Sequence, residues 1–292
     1  MTTAAPYAAS RIKRRRASPS EMEQRASFLI EYAEEHGPIT VRGLYYQAEV
    51  AGVPGIDKTE NSYEKVQRQI LNLRRCGRLK YANISDATRW MRKPCSYSSI
   101  KEALAETARL YRRNLWQYAK DYVEVWIEKD ALAGVICPIT EQYDVPLMVA
   151  RGFSSETYEA VAARDDDPRD YYVYYLGDFD RSGVDAAYSL KEKLERFAED
   201  KFGIVFQQSA ITPEMIDAYN LPIRPHKRNT AADRNWPYDY ACELDALPPD
   251  VLREYVRWLI EQHLPSNQLA ILQAAEESER EQLTMFAQRG LS

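Results

Sequence analysis

Tyr171-Tyr-Val-Tyr-Tyr-Leu-Gly-Asp-Phe-Asp-Arg-Ser-Gly183 is a run of strand-forming residues that ends in two carboxylates and a glycine. Side chains alternate faces along a strand, so we expect Asp178 and Asp180 to point the same way at its carboxyl end, where α/β sheets place their sites. Two such carboxylates repel each other, and Mg2+, which prefers oxygen ligands, relieves that repulsion. The pattern predicts a metal site. The alternative is a solvated, Asp-rich turn after a buried strand.

A second apolar segment, Tyr122-Val-Glu-Val-Trp-Ile-Glu128, also ends on an acid, and helical character begins at Ala131. One strand ending in Glu and a later one ending in Asp-x-Asp-x-x-Gly resemble the Toprim fold of topoisomerases, primases and related nucleases. The resemblance implies that Glu128, Asp178 and Asp180 hold Mg2+, with Mn2+ as the alternative ion, beside the reacting phosphate. Glu128 could instead serve as a general acid or base.

Length and composition limit the class of protein. A chain of 292 residues can form two domains. Its four cysteines are scattered and it has three histidines, which argues against a zinc site or a disulfide framework. The sequence has no membrane-length apolar run and no signal-peptide core, so we expect a cytoplasmic protein without a membrane partner, nucleoid-associated or encoded by a phage or plasmid in a prokaryotic host.

The net charge of −5 hides an asymmetry between two halves. Residues 1–120 contain 22 Lys and Arg against 12 Asp and Glu, and the rest of the chain contains 17 against 32. A basic half can neutralise phosphates and an acidic half can collect divalent cations, a division that favours a nucleic-acid enzyme. The alternative is that the acidic half is only a solvated surface.

The basic half predicts a disordered arm at 1–20 and a winged-helix domain at 21–97. The arm carries Arg14, Arg15 and Arg16, which either follow a DNA backbone or only aid solubility. The order predicted for the domain is a helix capped by Ser20, a short strand from Ile39, a second helix, a basic helix and a β wing over 78–84. The alternative is an ordinary helical domain whose long basic side chains cover its surface.

The basic helix of this domain, predicted from Tyr63 to Cys76, has two faces. Its apolar residues Val66, Ile70, Leu71 and Leu73 are expected to face a core, and Gly77 is expected to end the helix. Its other face presents Lys65, Arg68 and Arg75, which we predict to bind duplex DNA together with the arm.

Arg42 and Tyr46 are the candidate reactive pair. They lie one helical turn apart, so on a helix they share a face. A tyrosine hydroxyl attacks a phosphodiester only if its proton is removed and a nearby cation stabilises the developing charge. Two adjacent tyrosines, Tyr45 and Tyr46, are otherwise more often one core and one surface aromatic.

Three features occur in order along the chain: Arg42-Gly-Leu-Tyr-Tyr46, then Glu128, then Gly177-Asp-Phe-Asp-Arg-Ser-Gly183. In this order they resemble the A subunit of topoisomerase VI and its meiotic double-strand-break relatives, over about residues 25–265. The nearest likeness is to the stand-alone topoisomerase mini-A group. The resemblance implies that Tyr46 is the nucleophile and Arg42 its phosphate-stabilising partner. Gly43 replaces the family's usual acid, and Arg181 replaces its usual proline after Asp-x-Asp. The chain contains no ATPase domain, so ATP-driven strand passage would need a separate B-type subunit.

The remaining elements complete the expected α/β fold. Residues 98–120 are predicted to form a connecting helix, and residues 121–292 a Toprim domain whose mostly parallel sheet is flanked by helices. Asp185 is a candidate auxiliary metal ligand or a favourable first-turn acid. Glu243 and Asp245 are expected to be mainly structural, with a metal role as the alternative.

We therefore predict a type IIB topoisomerase A-like enzyme that cleaves DNA by Mg2+-dependent tyrosyl transesterification. One tyrosine attacks one phosphate, so cutting both strands predicts a homodimer in which Tyr46 of one chain meets the acids of the other. A monomeric sedimentation mass on DNA would contradict this. One alternative is a Toprim nuclease of phage, plasmid or defence origin that uses metal-activated water. The other is a non-catalytic DNA-binding accessory protein.

Overall fold

The computed structural model describes residues 17–85, 95–150, 169–198, 203–226, 236–264 and 266–289. Three of the predicted DNA-binding residues, Arg14, Arg15 and Arg16, lie outside these ranges. None of the described helices combines the length and the apolar character needed to cross a membrane.

The described helices are α1 (Pro19–His36), α2 (Val41–Val50), α3 (Glu60–Arg75), α4 (Ile100–Leu110), α5 (Asp130–Gln142), α6 (Arg181–Ala198), α7 (Pro213–Ala218), α8 (Pro249–Glu261) and α9 (Ser266–Arg289). The strands are β1 (Ile39–Thr40), β2 (Ile84–Ser85), β3 (Asp121–Ile127), β4 (Leu147–Val149), β5 (Asp170–Leu176), β6 (Ile204–Ala210), β7 (Arg224–Pro225) and β8 (Tyr240–Ala241). Two 3₁₀ turns cover Tyr81–Asn83 and Leu244–Ala246.

Helix α1 begins two residues before the predicted start. Ser18 is the N-cap, Pro19 occupies the first turn, and Glu21 completes a capping box with Ser18. The prediction of Ser20 as the cap was wrong because Ser18 has both a proline after it and an acid three residues on, a stronger start signal than Ser20 has. The predicted arm therefore ends before Ser18.

Helix α3 has the predicted apolar face, with one exception. Val66, Ile70 and Leu73 are buried, whereas Leu71 is 44% exposed. The prediction for Leu71 was wrong because it lies one residue, or 100°, around the helix from Ile70. The predicted end is confirmed: Gly77 follows the last turn with a φ of +77°, a left-handed conformation that glycine adopts without strain.

The short strands β1 and β2 pair in parallel, Ile39 opposite Ile84. The prediction of a wing extended over 78–84, but the described residues there form a 3₁₀ turn and β2. A returning strand of a wing would fall in residues 86–94, outside the described ranges. The observed order is therefore helix, strand, helix, helix, strand.

Helix α4 is shorter than the predicted connecting element at 98–120. It ends at Leu110, where Tyr111 turns the backbone to an extended conformation. The Tyr111 hydroxyl donates to Glu279 Oε2 of α9 at 2.8 Å. Leu115 and Trp116 lie beyond the end of α4 and are buried in the core beside the sheet. Their apolar spacing in the sequence therefore reflects burial in this core and does not continue the helix. The helical prediction beyond Leu110 was wrong.

The central sheet has the strand order β4-β3-β5-β6, with all neighbouring strands parallel. Apolar residues of α5 and α8 pack with one set of strand side chains, and those of α6 pack with the alternate set. The molecule is therefore an α/β protein with helices on both sheet faces, as predicted. The chain leaves β3 for β4 on one side and returns to β5 on the other. That reversal creates a crevice at the carboxyl ends of β3 and β5.

Candidate active-site cleft

Glu128 and Asp178 meet at this crevice, immediately after β3 and β5. The backbone N–H of Asp178 donates to Glu128 Oε2 at 3.1 Å. A Cβ on Gly177 would lie 3.0 Å from the same oxygen, and one on Gly183 would lie 2.4 Å from the Asp178 carbonyl oxygen. The glycines therefore let the Glu128 carboxylate and the start of α6 approach the end of β5, which explains their spacing around Asp178.

Phe179 joins a distant segment to this crevice. It forms an antiparallel bridge with Cys242, the two backbone hydrogen bonds measuring 2.8 and 3.0 Å. The bridge brings Glu243 and Asp245 beside the strand ends, where both are buried. The backbone N–H of Leu244 donates to Asp178 Oδ1 at 2.8 Å. The acid pair noted late in the sequence is thus part of the site.

Lys129 lies among these carboxylates. Its Nζ is 2.8 Å from Asp178 Oδ1, 2.9 Å from Asp245 Oδ2 and 3.4 Å from Glu243 Oε2. Burial opposes the charged ammonium, but the three carboxylates outweigh burial and raise the pKa of Lys129. Burial raises the pKa of Asp178, and Lys129 only partly offsets that effect. Lys129 is the central cation of the cluster.

Two arginines balance the remaining acids. Arg224 Nη2 donates to Asp180 Oδ2 at 3.0 Å, and its Nε is 3.6 Å from Glu243 Oε1. Arg42 Nη1 donates to both Glu243 oxygens, at 2.9 and 2.8 Å. Burial alone would raise the pKa of Glu243, but the three cations hold it below the ordinary value. Asp178 and Asp180 therefore belong to one ion network, linked through Lys129, Glu243 and Arg224.

Helix α2 packs directly on the segment that carries Glu243 and Asp245. Thr40 caps the helix by accepting from the Gly43 N–H at 2.8 Å and donates to Asp245 Oδ1 at 2.5 Å. A Cβ on Gly43 would lie 3.3 Å from the Asp245 carbonyl oxygen, a tight contact. Gly43, where the resembled family has an acid, is therefore suited to the close approach of α2 to this segment.

Tyr46 follows Arg42 by one turn of α2 and is half-buried. Burial, then the charge of Glu243, raises its pKa far above the ordinary value, although Arg42, Lys129 and Arg224 oppose the rise. Tyr45 also lines a cavity beside Tyr46, but its hydroxyl is engaged by the Asp57 carbonyl oxygen, to which it donates at 2.8 Å. Of the two adjacent tyrosines, Tyr46 is the one beside the ion network.

Two adjoining cavities open along this network. The larger, about 620 Å³, is lined by Arg42, Glu128, Lys129, Asp178, Arg224 and Glu243, among others. The smaller, about 420 Å³, is lined by Arg42, Tyr46, Arg224 and Glu243, among others. Arg42, Tyr63, Arg224 and Glu243 form walls of both cavities. We call the two together the cleft. Tyr46 and the strand-end acids of a single chain thus lie in one cleft, in neighbouring cavities.

The predicted metal ligands do not form a cation site in this arrangement. Asp178 Oδ1 is bonded to Lys129 and to the Leu244 N–H, and Asp180 is bonded to Arg224 and to the Gly183 N–H. The carboxylate chemistry suits Mg2+, but the Lys129 ammonium lies against Asp178, one of the three predicted ligands. Within the described ranges, no group of three His, Cys, Asp or Glu residues could hold a metal ion. Asp185 pairs with Arg181, one turn before it on α6.

The predicted DNA-binding residues of α3 lie away from the cleft. Lys65 and Arg68 line a separate groove between α1 and α3, and exposed Arg75 lines neither cavity of the cleft. The cleft instead receives Tyr63 and Gln67 from the same helix. The structure therefore brings together Arg42, Tyr46, Glu128, Asp178 and Asp180, and separates them from the three basic residues.

Lys129 and Arg224 were not recognised as site residues from the sequence. Lys129 directly follows Glu128, so its position beside a candidate acid was the available signal. Arg224 lies in a proline-rich segment with no such signal, and β7 places it by pairing with β8. A comparison of the sequence with protein-family models and with curated proteins finds no match.

Proposed function

We propose that the cleft is the reaction site of a DNA-cleaving enzyme built from a winged-helix unit and a Toprim unit, with Tyr46 as its nucleophile. The observation that carries the proposal is that α2 delivers Arg42 and Tyr46 to the carboxyl ends of β3 and β5. There Arg42 bonds Glu243 and shares a cavity with Glu128 and Asp178. Reactive groups of open α/β sheets gather at such a crevice.

In the proposed reaction the Tyr46 phenol first loses its proton to solvent, and its oxygen then bonds to the phosphorus of a backbone phosphate. The bond from phosphorus to one sugar oxygen breaks, and that oxygen takes up a proton. One phosphoester replaces another, so the step needs no outside energy source and is reversible. Arg42, Lys129 and Arg224 line the cleft and would stabilise the added negative charge of the transition state.

Opening of the ion network is part of this proposal. Arg42 and Arg224 are each engaged by a carboxylate, so an entering phosphate competes with Glu243 and Asp180 for them. Arginine suits this exchange because its planar fork binds carboxylate and phosphate in the same bidentate way. The requirement for Mg2+ or Mn2+ remains a prediction, and no step here depends on it.

The helical unit supports DNA binding. Its order of helix, strand, helix, helix and strand is compatible with a winged helix, and the basic face of α3 is exposed. Each chain has one Tyr46, so cutting both strands requires two copies, and strand passage would require a separate ATPase subunit. A compartment that contains DNA, such as the prokaryotic cytoplasm, fits these roles.

The test uses DNA duplexes labelled at the 5′ or the 3′ end. The protein is incubated with each in Mg2+, in Mn2+ and in EDTA, and the reaction is stopped with SDS. We expect labelled DNA to migrate with the wild-type protein and with Tyr45→Phe, the matched control, and not with Tyr46→Phe. The labelled end that stays attached identifies which side of the break carries the tyrosine. Absence of any attached DNA from wild type under all three conditions would contradict the proposal.

One observation favours a second candidate, hydrolysis by water activated beside the strand-end acids. Glu128 and Asp178 line the larger cavity, and Tyr46 lines only the smaller one. A water molecule in the larger cavity would be nearer to the two acids than the Tyr46 phenol is. The same assay separates the candidates, because hydrolysis yields cut DNA with free ends that is unaffected by Tyr46→Phe. A protein that binds DNA without cutting it would be an accessory protein.

A further inference from the structure

The groove between α1 and α3 contains a buried arginine that forms no ion pair among the described residues. Arg25 of α1 is only 5% exposed. Its guanidinium donates to the Pro54 carbonyl oxygen at 3.0 Å and, at 3.5 Å, to the Gln69 side-chain oxygen, both neutral groups. In the described part of the chain, Arg25 forms no ion pair with a carboxylate. Burying a charge without an opposite charge is costly unless a ligand supplies one.

Other arginines of the structure show how unusual this is. Arg113, Arg224 and Arg280 share with Arg25 a buried Nε that lacks a hydrogen-bond partner. Each of those three, however, has a carboxylate on another nitrogen of the same guanidinium. Within the described ranges no carboxylate bonds Arg25, and burial lowers its pKa, an effect that the charge of Glu21 only partly offsets. The fold has thus placed a guanidinium where an anion would stabilise it.

A cavity of about 390 Å³ adjoins this guanidinium. It is lined by Ala17, Glu21, Met22, Arg25, Gly55, Lys65, Arg68, Gln69 and Asn72. Three of these residues are basic and one is acidic, so the lining carries an excess of positive charge. Lys65 and Arg68 are exposed and converge from α3, whereas Arg25 forms the buried wall. A buried, forked donor with two exposed cations suits a tetrahedral oxyanion.

The loop before α3 keeps Arg25 in place. Gly55 has a φ of +75°, and a Cβ there would lie 2.9 Å from Arg25 Nη2. Lys65 Nζ donates to the Gly55 carbonyl oxygen at 3.3 Å, which holds the same loop from the other side. The Pro54 carbonyl oxygen and the close approach of Gly55 therefore fix the position of the guanidinium.

From these contacts we infer that the α1–α3 groove is a phosphate-binding site, in which Arg25, Lys65 and Arg68 hold one backbone phosphodiester of duplex DNA. The phosphate site itself follows from the groove, and the choice of DNA as its source rests on the proposed function. Arg75 on the same helix extends the basic surface beyond the groove. Since Tyr63 and Gln67 of α3 face the cleft, the groove and the cleft lie on different sides of one helix.

The test measures binding of a fluorescent 20-base-pair duplex with 5′-hydroxyl ends, in EDTA, over a range of salt concentrations. EDTA separates binding from metal-dependent cleavage, so failure here and failure of the proposed function are distinguishable. The variants are Arg25→Met, Arg68→Gln and the double variant, with Arg75→Gln as the matched control on α3. Circular dichroism checks that each variant is folded.

Loss of one phosphate contact should reduce the slope of log affinity against log salt by about 0.9. We expect that reduction in Arg25→Met and in Arg68→Gln, and no further reduction in the double variant, because both residues hold the same phosphate. Arg75→Gln should combine additively with Arg68→Gln. If Arg25→Met does not fold, Lys65→Gln takes its place in the cycle. A wild-type slope in folded Arg25→Met would overturn the proposal, as would additive loss in its double variant with Arg68→Gln. Where Lys65→Gln replaces Arg25→Met, the same two outcomes would overturn it.

A second duplex with 5′-phosphate ends identifies the source of the phosphate. A backbone phosphodiester predicts equal affinity for the two duplexes. A preference for the 5′-phosphorylated duplex that disappears in Arg68→Gln would overturn the backbone assignment and place a terminal phosphate in the groove.

Discussion

The cleft and the α1–α3 groove hold buried or half-buried cations in opposite ways. In the cleft, Lys129, Arg224 and Arg42 each pair with at least one carboxylate. In the groove, Arg25 has only neutral partners in the described structure. The cleft is therefore balanced within the protein, and a phosphate must displace a carboxylate to enter it. The groove can accept an anion without first breaking an ion pair.

This contrast suggests a division of work between the two sites. Binding without rearrangement suits the groove, which would fix the position of a duplex. Exchange of carboxylate for phosphate suits the cleft, because its cations would be released only when DNA is present. The three predictions below test the two halves of the comparison, beginning with the largest expected effect.

Lys129→Met should destabilise the protein strongly. It removes the cation that neutralises Asp178, Glu243 and Asp245, and breaking a buried ion pair by removing one partner costs about 3–5 kcal/mol. Urea denaturation measures the change in the free energy of unfolding. The loss should be larger at pH 8 than at pH 5, because burial raises the pKa of Asp178 and, without Lys129, this carboxylate takes up a proton more readily at the lower pH.

Lys191→Met is the control for this substitution, because Lys191 makes an exposed pair with Glu195 on α6. It should cost no more than about 0.5 kcal/mol. Equal, small losses in the two variants would mean that the cleft does not depend on its internal cation, and the contrast with the groove would fail.

The rate of covalent attachment should rise with pH. Burial raises the pKa of Tyr46, so at neutral pH its phenol is almost entirely protonated. Well below that pKa, the phenolate fraction grows about tenfold per pH unit, so single-turnover attachment at saturating DNA should increase about a hundredfold from pH 7 to pH 9. DNA binding is measured in parallel at each pH. A rate that stays constant over this range would contradict attack by a phenol that first loses its proton to solvent.

Gly55→Ala should affect the groove, and Gly52→Ala should not. Both glycines have positive φ values, +75° and +66°, so each substitution should cost about 1–2 kcal/mol of stability. A Cβ at Gly55 also meets Arg25 Nη2, whereas a Cβ at Gly52 meets nothing within 4 Å. Gly55→Ala alone should therefore weaken binding of the 20-base-pair duplex. Equal affinity of the two variants would show that the position of Arg25 does not matter.

Local pattern predicted most of the sheet. The strand-forming runs before Glu128 and Asp178 became β3 and β5, and the helix after each run followed, because apolar periodicity and turn residues act over short distances. The same reasoning failed at Leu71, where an apolar side chain one residue away from the buried stripe is exposed. It also failed after Leu110, where apolar residues continue at helical spacing but the helix ends and Trp116 is buried outside it.

The ion pairs of the cleft could not be predicted from the local sequence pattern. It depends on the bridge between Phe179 and Cys242, which are far apart in the sequence, and on the packing of α2 against Asp245. Motif spacing gave Glu128, Asp178 and Asp180 as neighbours. It could not reveal that Lys129 pairs with Asp178, Glu243 and Asp245, because the spacing of acids does not state which cation lies beside them.

Mass spectrometry of the DNA-linked peptide tests the central claim most directly. Protein incubated with duplex DNA is denatured, treated with nuclease so that a short nucleotide remnant stays attached, and digested with trypsin. Trypsin releases Gly43–Lys58, which contains both Tyr45 and Tyr46. The account predicts this peptide with a nucleotide remnant, and fragmentation should place the remnant on Tyr46. A remnant on Tyr45 or on any other peptide would contradict it, as would cut DNA with no modified peptide.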